Sequence, residues 1–134
     1  AGGYNSRRWQ ESELVTYFRQ NGQPKGETVF SNSPDALYIL ADVTAKSSPA
    51  RRNYNSEETT GVTDKNLFTK YPGLDGAMLV WSEPNWRDYL FTLDDLRTMC
   101  DLERIATFSD GSIWRIRSSN KSVDHYVSPA ADGG

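Results

Sequence analysis

Two groups of residues have the types and spacing for binding chemistry. Arg51 and Arg52, with Tyr54 close behind, form the first. A guanidinium presents a rigid fork of donors to an anion or a sugar hydroxyl, and tyrosine adds a stacking face. Glu57 and Glu58 follow and cancel the local charge, so a solvated loop is the plainer reading of this stretch. The second group is Asn32 and Ser33 with Glu83 and Trp86, each pair just beyond a strand-like segment. Ligands of open α/β sheets sit outside the carboxyl ends of strands, so these four residues share an edge if the two segments are neighbours. Together the seven residues form the candidate binding surface, set against a structural role for the same loops.

Other reactive side chains point to no reaction. Cys100 lies with Leu96 and Met99 on the apolar side of a helical stretch and reads as a buried, inert thiol. His125 stands in a polar tail away from any motif. With one histidine and one cysteine, a zinc site lacks its usual ligands, and no metal is expected. Asp94, Asp95 and Asp101 surround one helix as caps or solvated face. The chain contains neither a glycine-rich phosphate loop nor a Gly-x-Ser-x-Gly elbow. No catalytic residue and no cofactor are assigned.

The elements that must position these residues can be read in order. Residues 8–21 predict a helix, with Leu14 and Phe18 on one face, Ser6 as N-cap and Gly22 as stop. Residues 27–31 predict a short strand. Ser33, Pro34 and Asp35 then supply a cap, a first-turn proline and an acidic first turn for a short apolar helix through Leu40. Leu37 and Leu40 should face the core and Tyr38 the rim. Residues 44–66 carry almost no core-forming side chains and predict a long, mobile loop. Leu67, Phe68 and Tyr71 re-anchor the chain before a turn at Pro72 and Gly73. Residues 77–81 are continuously apolar, as in a strand covered on both faces. Thr92 and Asp95 form a capping box for the next helix. Residues 102–108 and 112–117 predict two strands around a hairpin turn at Asp110 and Gly111.

These elements imply a small α/β sandwich whose sheet is mostly parallel, with a C-terminal antiparallel hairpin. The 134 residues suit one domain. Residues 1–7 read as a linker or remnant, 8–127 as the domain and 128–134 as a flexible tail. Fifteen basic against 18 acidic residues give a net charge of -3, which argues against nucleic acid as a partner. No apolar run is long enough to span a bilayer and no leader is expected at the start.

Residues 9–42, WQESELVTYFRQNGQPKGETVFSNSPDALYILAD, are similar to a stretch following the last transmembrane helix of bacterial multi-spanning glycosyltransferases. That superfamily uses lipid-linked sugar donors and includes protein mannosyltransferases and aminoarabinose transferases. The resemblance rests on a strand ending in Ser31, Asn32, Ser33 and Pro34, a helix like DALYIL, and a hairpin like that at residues 110–115. Where members have Gly-Arg after the second helix, this chain has Ala41 and Asp42. The resemblance implies a non-catalytic soluble domain facing the periplasm or cell exterior at the cell membrane. Its implied partners are the transmembrane portion of the parent protein and a lipid-linked sugar or glycan acceptor. The alternative is a stand-alone binding or protein-interaction domain.

Overall fold

The computed structural model describes residues 6–119. In chain order it contains α1 (Arg7–Gln10), α2 (Glu13–Asn21), β1 (Val29–Ser31), α3 (Pro34–Ala41), β2 (Lys46–Ser47), α4 (Leu67–Lys70), β3 (Met78–Ser82), α5 (Leu93–Met99), β4 (Asp101–Phe108) and β5 (Gly111–Arg117). The strands form one five-stranded sheet in the order β2-β1-β3-β5-β4. β1 pairs in parallel with both β2 and β3, while β5 pairs antiparallel with both β3 and β4. The fold is therefore α/β, but the sheet is mixed rather than mostly parallel. The hairpin inserts β5 directly beside β3 instead of extending a parallel run at the edge.

Alternation along β3 explains the layering. Met78 and Val80 pack with Leu14 and Phe18 of α2 and Leu37 of α3. Leu79 and Trp81 point the other way, into a cluster with Leu67, Leu96 and Met99. Successive strand residues face opposite sides, so helices cover both faces of the sheet. This is why residues 77–81 are apolar throughout. β5 follows the same rule, with Ile113 on the α2–α3 side and Trp114 and Ile116 on the other.

The helix expected over residues 8–21 is two helices. α1 begins at Arg7, one residue inside the expected linker, and the helix is interrupted at Glu11 and Ser12. Ser6 occupies an N-cap position but its side chain caps nothing. The working cap is Ser12, whose hydroxyl accepts from the Val15 amide at 3.0 Å. It also donates to Asp110 at 2.5 Å, and the Leu14 amide donates to the same carboxylate at 3.1 Å. In return Glu13 accepts from the Ser109 amide at 2.7 Å. The β4–β5 turn and the start of α2 thus satisfy one another's free backbone groups.

The hairpin itself differs in one respect. Its turn is Ser109 and Asp110, and Gly111 already pairs with Ser82 as strand. A Cβ on Gly111 would lie 2.4 Å from the Trp81 carbonyl oxygen and 2.8 Å from a methyl of Leu14. Glycine is needed there for close approach rather than for turn conformation.

Several local signals act as expected. Thr92 and Asp95 form the capping box of α5, each bond at 3.0 Å. Pro34 opens α3, Leu37 is buried and Tyr38 is exposed, while Leu40 is only half-buried. Residues 44–66 are not loop throughout, since they contain β2. Beyond β2 the segment is tied to residues 87–91 by backbone bonds, among them Arg51 N–H to Tyr89 C=O at 2.9 Å and Phe91 N–H to Pro49 C=O at 3.0 Å. Polar bonds take the place of the missing apolar anchors. The tail after residue 119, including His125, lies outside the described residues. Among the described residues no helix is long and apolar enough to cross a membrane.

Candidate functional site

The loop between β3 and α5, residues 83–92, organises both groups of candidate residues. It leaves the carboxyl end of β3, next to the carboxyl end of β1. From β1 the chain turns outward to β2, and from β3 it leads by way of α5 to β4 on the opposite side. The crevice between the two parallel strands is therefore a topological switch point, the usual ligand position in open α/β sheets.

Here polar side chains of the chain itself fill that crevice. The Asn32 amide donates to the Ser82 carbonyl at 2.9 Å and accepts from the Ser82 amide at 2.8 Å, so it pairs like a missing strand residue. The Ser33 hydroxyl meets that of Ser82 at 2.7 Å and accepts from Arg87 at 3.2 Å. Arg87 also donates to Asp35 at 2.7 Å. Asn32 is 0% and Ser33 5% exposed. Their hydrogen-bonding groups are therefore buried and paired internally. The expected Ser33 cap is corrected: its hydroxyl is turned to Ser82 and Arg87 and makes no bond to the first turn of α3.

The remaining candidates divide. Arg52 donates to the Ser56 carbonyl at 2.7 Å and pairs with Asp88 at 2.8 Å, which holds the long loop against residues 87–89. Arg51 is exposed, and its backbone N–H donates to the Tyr89 carbonyl. The Glu83 side chain is exposed, and its carbonyl accepts from Arg8 at 3.2 Å. Tyr54 and Trp86 remain the outstanding pair, 70% and 65% exposed.

Tyr54 and Trp86 line one cleft of about 540 Å³ with Arg87, Asp88 and Tyr89. The rings of Tyr54 and Tyr89 meet edge to face, with centroids 5.2 Å apart. The Arg8 guanidinium lies 4.4 Å from the Trp86 ring centroid and 4.2 Å from that of Trp9. Arg8 thus orients Trp86 from below while its own donor grips the Glu83 carbonyl. The Asp88 side chain is 80% exposed, so one carboxylate oxygen is free to accept beyond the bond to Arg52. Three aromatic faces with an adjacent donor and acceptor suit a ligand with apolar faces and polar edges. Sequence reading missed Arg8, Arg87 and Tyr89. The run Trp86, Arg87, Asp88, Tyr89 straight after an apolar strand was the available signal.

The reactive side chains elsewhere are consistent with structural roles. Cys100 is buried, and burial together with neighbouring Asp101 pushes its thiol up to about 12. Its Sγ donates to the Leu96 carbonyl at 3.3 Å. Among the described residues no three acidic, histidine or cysteine side chains gather as metal ligands. No protein family, curated protein or solved structure matches this chain.

Proposed function

We propose that this chain is a non-catalytic, extracytoplasmic sugar-binding domain of a membrane glycosyltransferase-like protein that uses a lipid-linked sugar donor. The observation that carries the binding part is the exposure of Tyr54 and Trp86 in one cleft with Tyr89, Arg87 and Asp88. A pyranose ring has an apolar face of C–H groups and a rim of hydroxyls. Aromatic rings cover the first, and Asp88 and Arg87 reach the second. The membrane context is supported by the resemblance of residues 9–42 to the segment after the last membrane helix of such enzymes.

Titration of the protein with neutral oligosaccharides, followed by tryptophan fluorescence and NMR shifts, tests this reading. Saturable shifts centred on Tyr54, Trp86 and Tyr89, lost in Trp86→Ala, are expected. Flat titrations across a panel of hexose, hexosamine and pentose oligomers would sink it. Turnover of a lipid-linked sugar by the purified chain would overturn the non-catalytic assignment.

One observation favours the second reading, a protein-interaction domain. Tyr38 and Ile39 on α3 are 62% and 58% exposed, an apolar pair outside the packed core of the described residues. Large aromatic and aliphatic side chains left outside are the usual anchors of a protein contact.

A further inference from the structure

A cleft of about 560 Å³ opens over the face of the sheet that α5 covers. Buried Trp81 and Trp114 line it, and Arg97 of α5 and Arg104 of β4 reach into it from two walls. We infer that it is a second binding site, for a small ligand bearing a carboxylate or phosphate held between Arg97 and Arg104.

The backbone places these residues by a specific device. β4 pairs Arg104 with Trp114 but Ala106 with Ile113, so Ile105 is an extra residue, 44% exposed, in a bulge. A bulge re-aims the side chains around it. Arg104 shares the face of Trp114, and after the bulge Thr107 comes round to the cleft opposite Ser112. If Ile105 paired regularly with Ile113, Thr107 would fall opposite Gly111, on the face toward α2.

The charges here differ from those of the ion-paired arginines. Arg52, Arg87 and Arg115 each contact a carboxylate, of Asp88, Asp35 and Glu27 respectively. Arg97 and Arg104 are instead directed at one indole, 5.0 and 4.8 Å from the Trp114 centroid. The Trp114 N–H donates to the Ser112 hydroxyl at 2.7 Å, which locks the ring. Arg104 has no ion pair among the described residues, and Arg97 reaches only Asp94, at 3.5 Å, whose side chain is 92% exposed. Glu83, the other carboxylate of the cleft, stands exposed at the rim. One arginine stem suffices to cover a ring. Two like charges facing the same ring repel, and an oxyanion between them removes that repulsion while using their free N–H edges.

The test is titration of the intact chain with inorganic phosphate, glucuronate and neutral glucose, read at the Trp114 indole N–H by NMR. Saturable shifts with phosphate or glucuronate, weakening as sodium chloride rises, are expected, and the stronger of the two identifies the group recognised. Arg97→Gln and Arg104→Gln should each weaken binding about tenfold, the loss expected for one charge-assisted pair. Trp86→Ala should leave this binding intact, so failure here and failure of the sugar cleft are separable. Arg97 lies on the exposed side of a helix, so its variant carries the test if Arg104→Gln does not fold. No saturable shift with either anion, equal binding of glucose, or full binding by the Arg97 variant would each overturn the site.

Discussion

The crevice between β1 and β3 and the aromatic cleft lie at opposite ends of one short stretch, yet they use their side chains in opposite ways. In the crevice, Asn32, Ser33 and Ser82 are sheltered from water and bond to one another, and Arg87 donates to Ser33 from the edge. In the cleft, Tyr54 and Trp86 stand mostly in solvent. Position at a switch point therefore does not by itself leave polar side chains open to a ligand. What separates the two is whether the polar groups are already satisfied. A closed network fixes the strand ends and holds the loop, and the loop then presents rings that have little architectural work.

The largest test of that contrast is Asn32→Ala. It orphans both the amide and the carbonyl of Ser82, each deprived of its bond from the Asn32 side chain. Two buried unsatisfied groups should destabilise the domain by about 3 kcal/mol. Urea unfolding measures this directly, and a midpoint like that of the parent would mean water replaces the lost bonds. Ser33→Ala removes a hydroxyl that meets Ser82 and Arg87, and should cost less, about 1 kcal/mol. The same magnitude would follow from a helix cap, so the discriminating readout is location. Shifts should appear at Ser82 and Arg87, with the α3 amides unmoved.

These partnerships were only partly visible in the sequence. Short-range signals were legible: Pro34 at the start of α3, the Thr92 and Asp95 box, and the apolar run of β3 each act within a few residues. Features that depend on distant partners were not. Ser12 breaks the first helix because Asp110 waits for it, 98 residues away. Gly111 looked like a turn residue but is small because the Trp81 carbonyl approaches it. The mixed sheet was missed for the same reason, since nothing in β5 alone says that it pairs with β3. Of the candidate residues, Tyr54 and Trp86 were chosen by type and stand exposed in one cleft. Asn32 and Ser33 were chosen by position, and position does not reveal that they are buried.

A smaller effect tests another closed junction, between α2 and the β4–β5 turn. The Ser109 amide bonded to Glu13, with a further bond from the serine side chain, holds the Glu13 carboxyl below its ordinary range. A carboxyl whose folded value is depressed stabilises the protein above its unfolded value, and that stability is lost as pH falls through the folded value. Glu13→Gln should therefore differ from the parent at neutral pH, and the gap should close through the acid carboxylate range. A gap independent of pH would remove the charge from the explanation and leave only packing.

The smallest expected change in stability belongs to Trp86→Ala, and it decides the contrast most cleanly. Trp86 is 65% exposed, and its one described ring partner is the Arg8 guanidinium, 4.4 Å from the centroid. An exposed cation–π contact contributes about 0.5 kcal/mol, and a surface truncation away from the core adds little more. Arg8 also retains Trp9 at 4.2 Å and the Glu83 carbonyl at 3.2 Å, so the segment should stay docked. The variant should unfold within about 0.5 kcal/mol of the parent while losing oligosaccharide binding in the cleft. That combination, stability kept and binding lost, separates a presented ring from a packed one. Destabilisation on the scale of Asn32→Ala would show that Trp86 belongs to the architecture after all, and the aromatic cleft would then be a by-product of packing rather than a site.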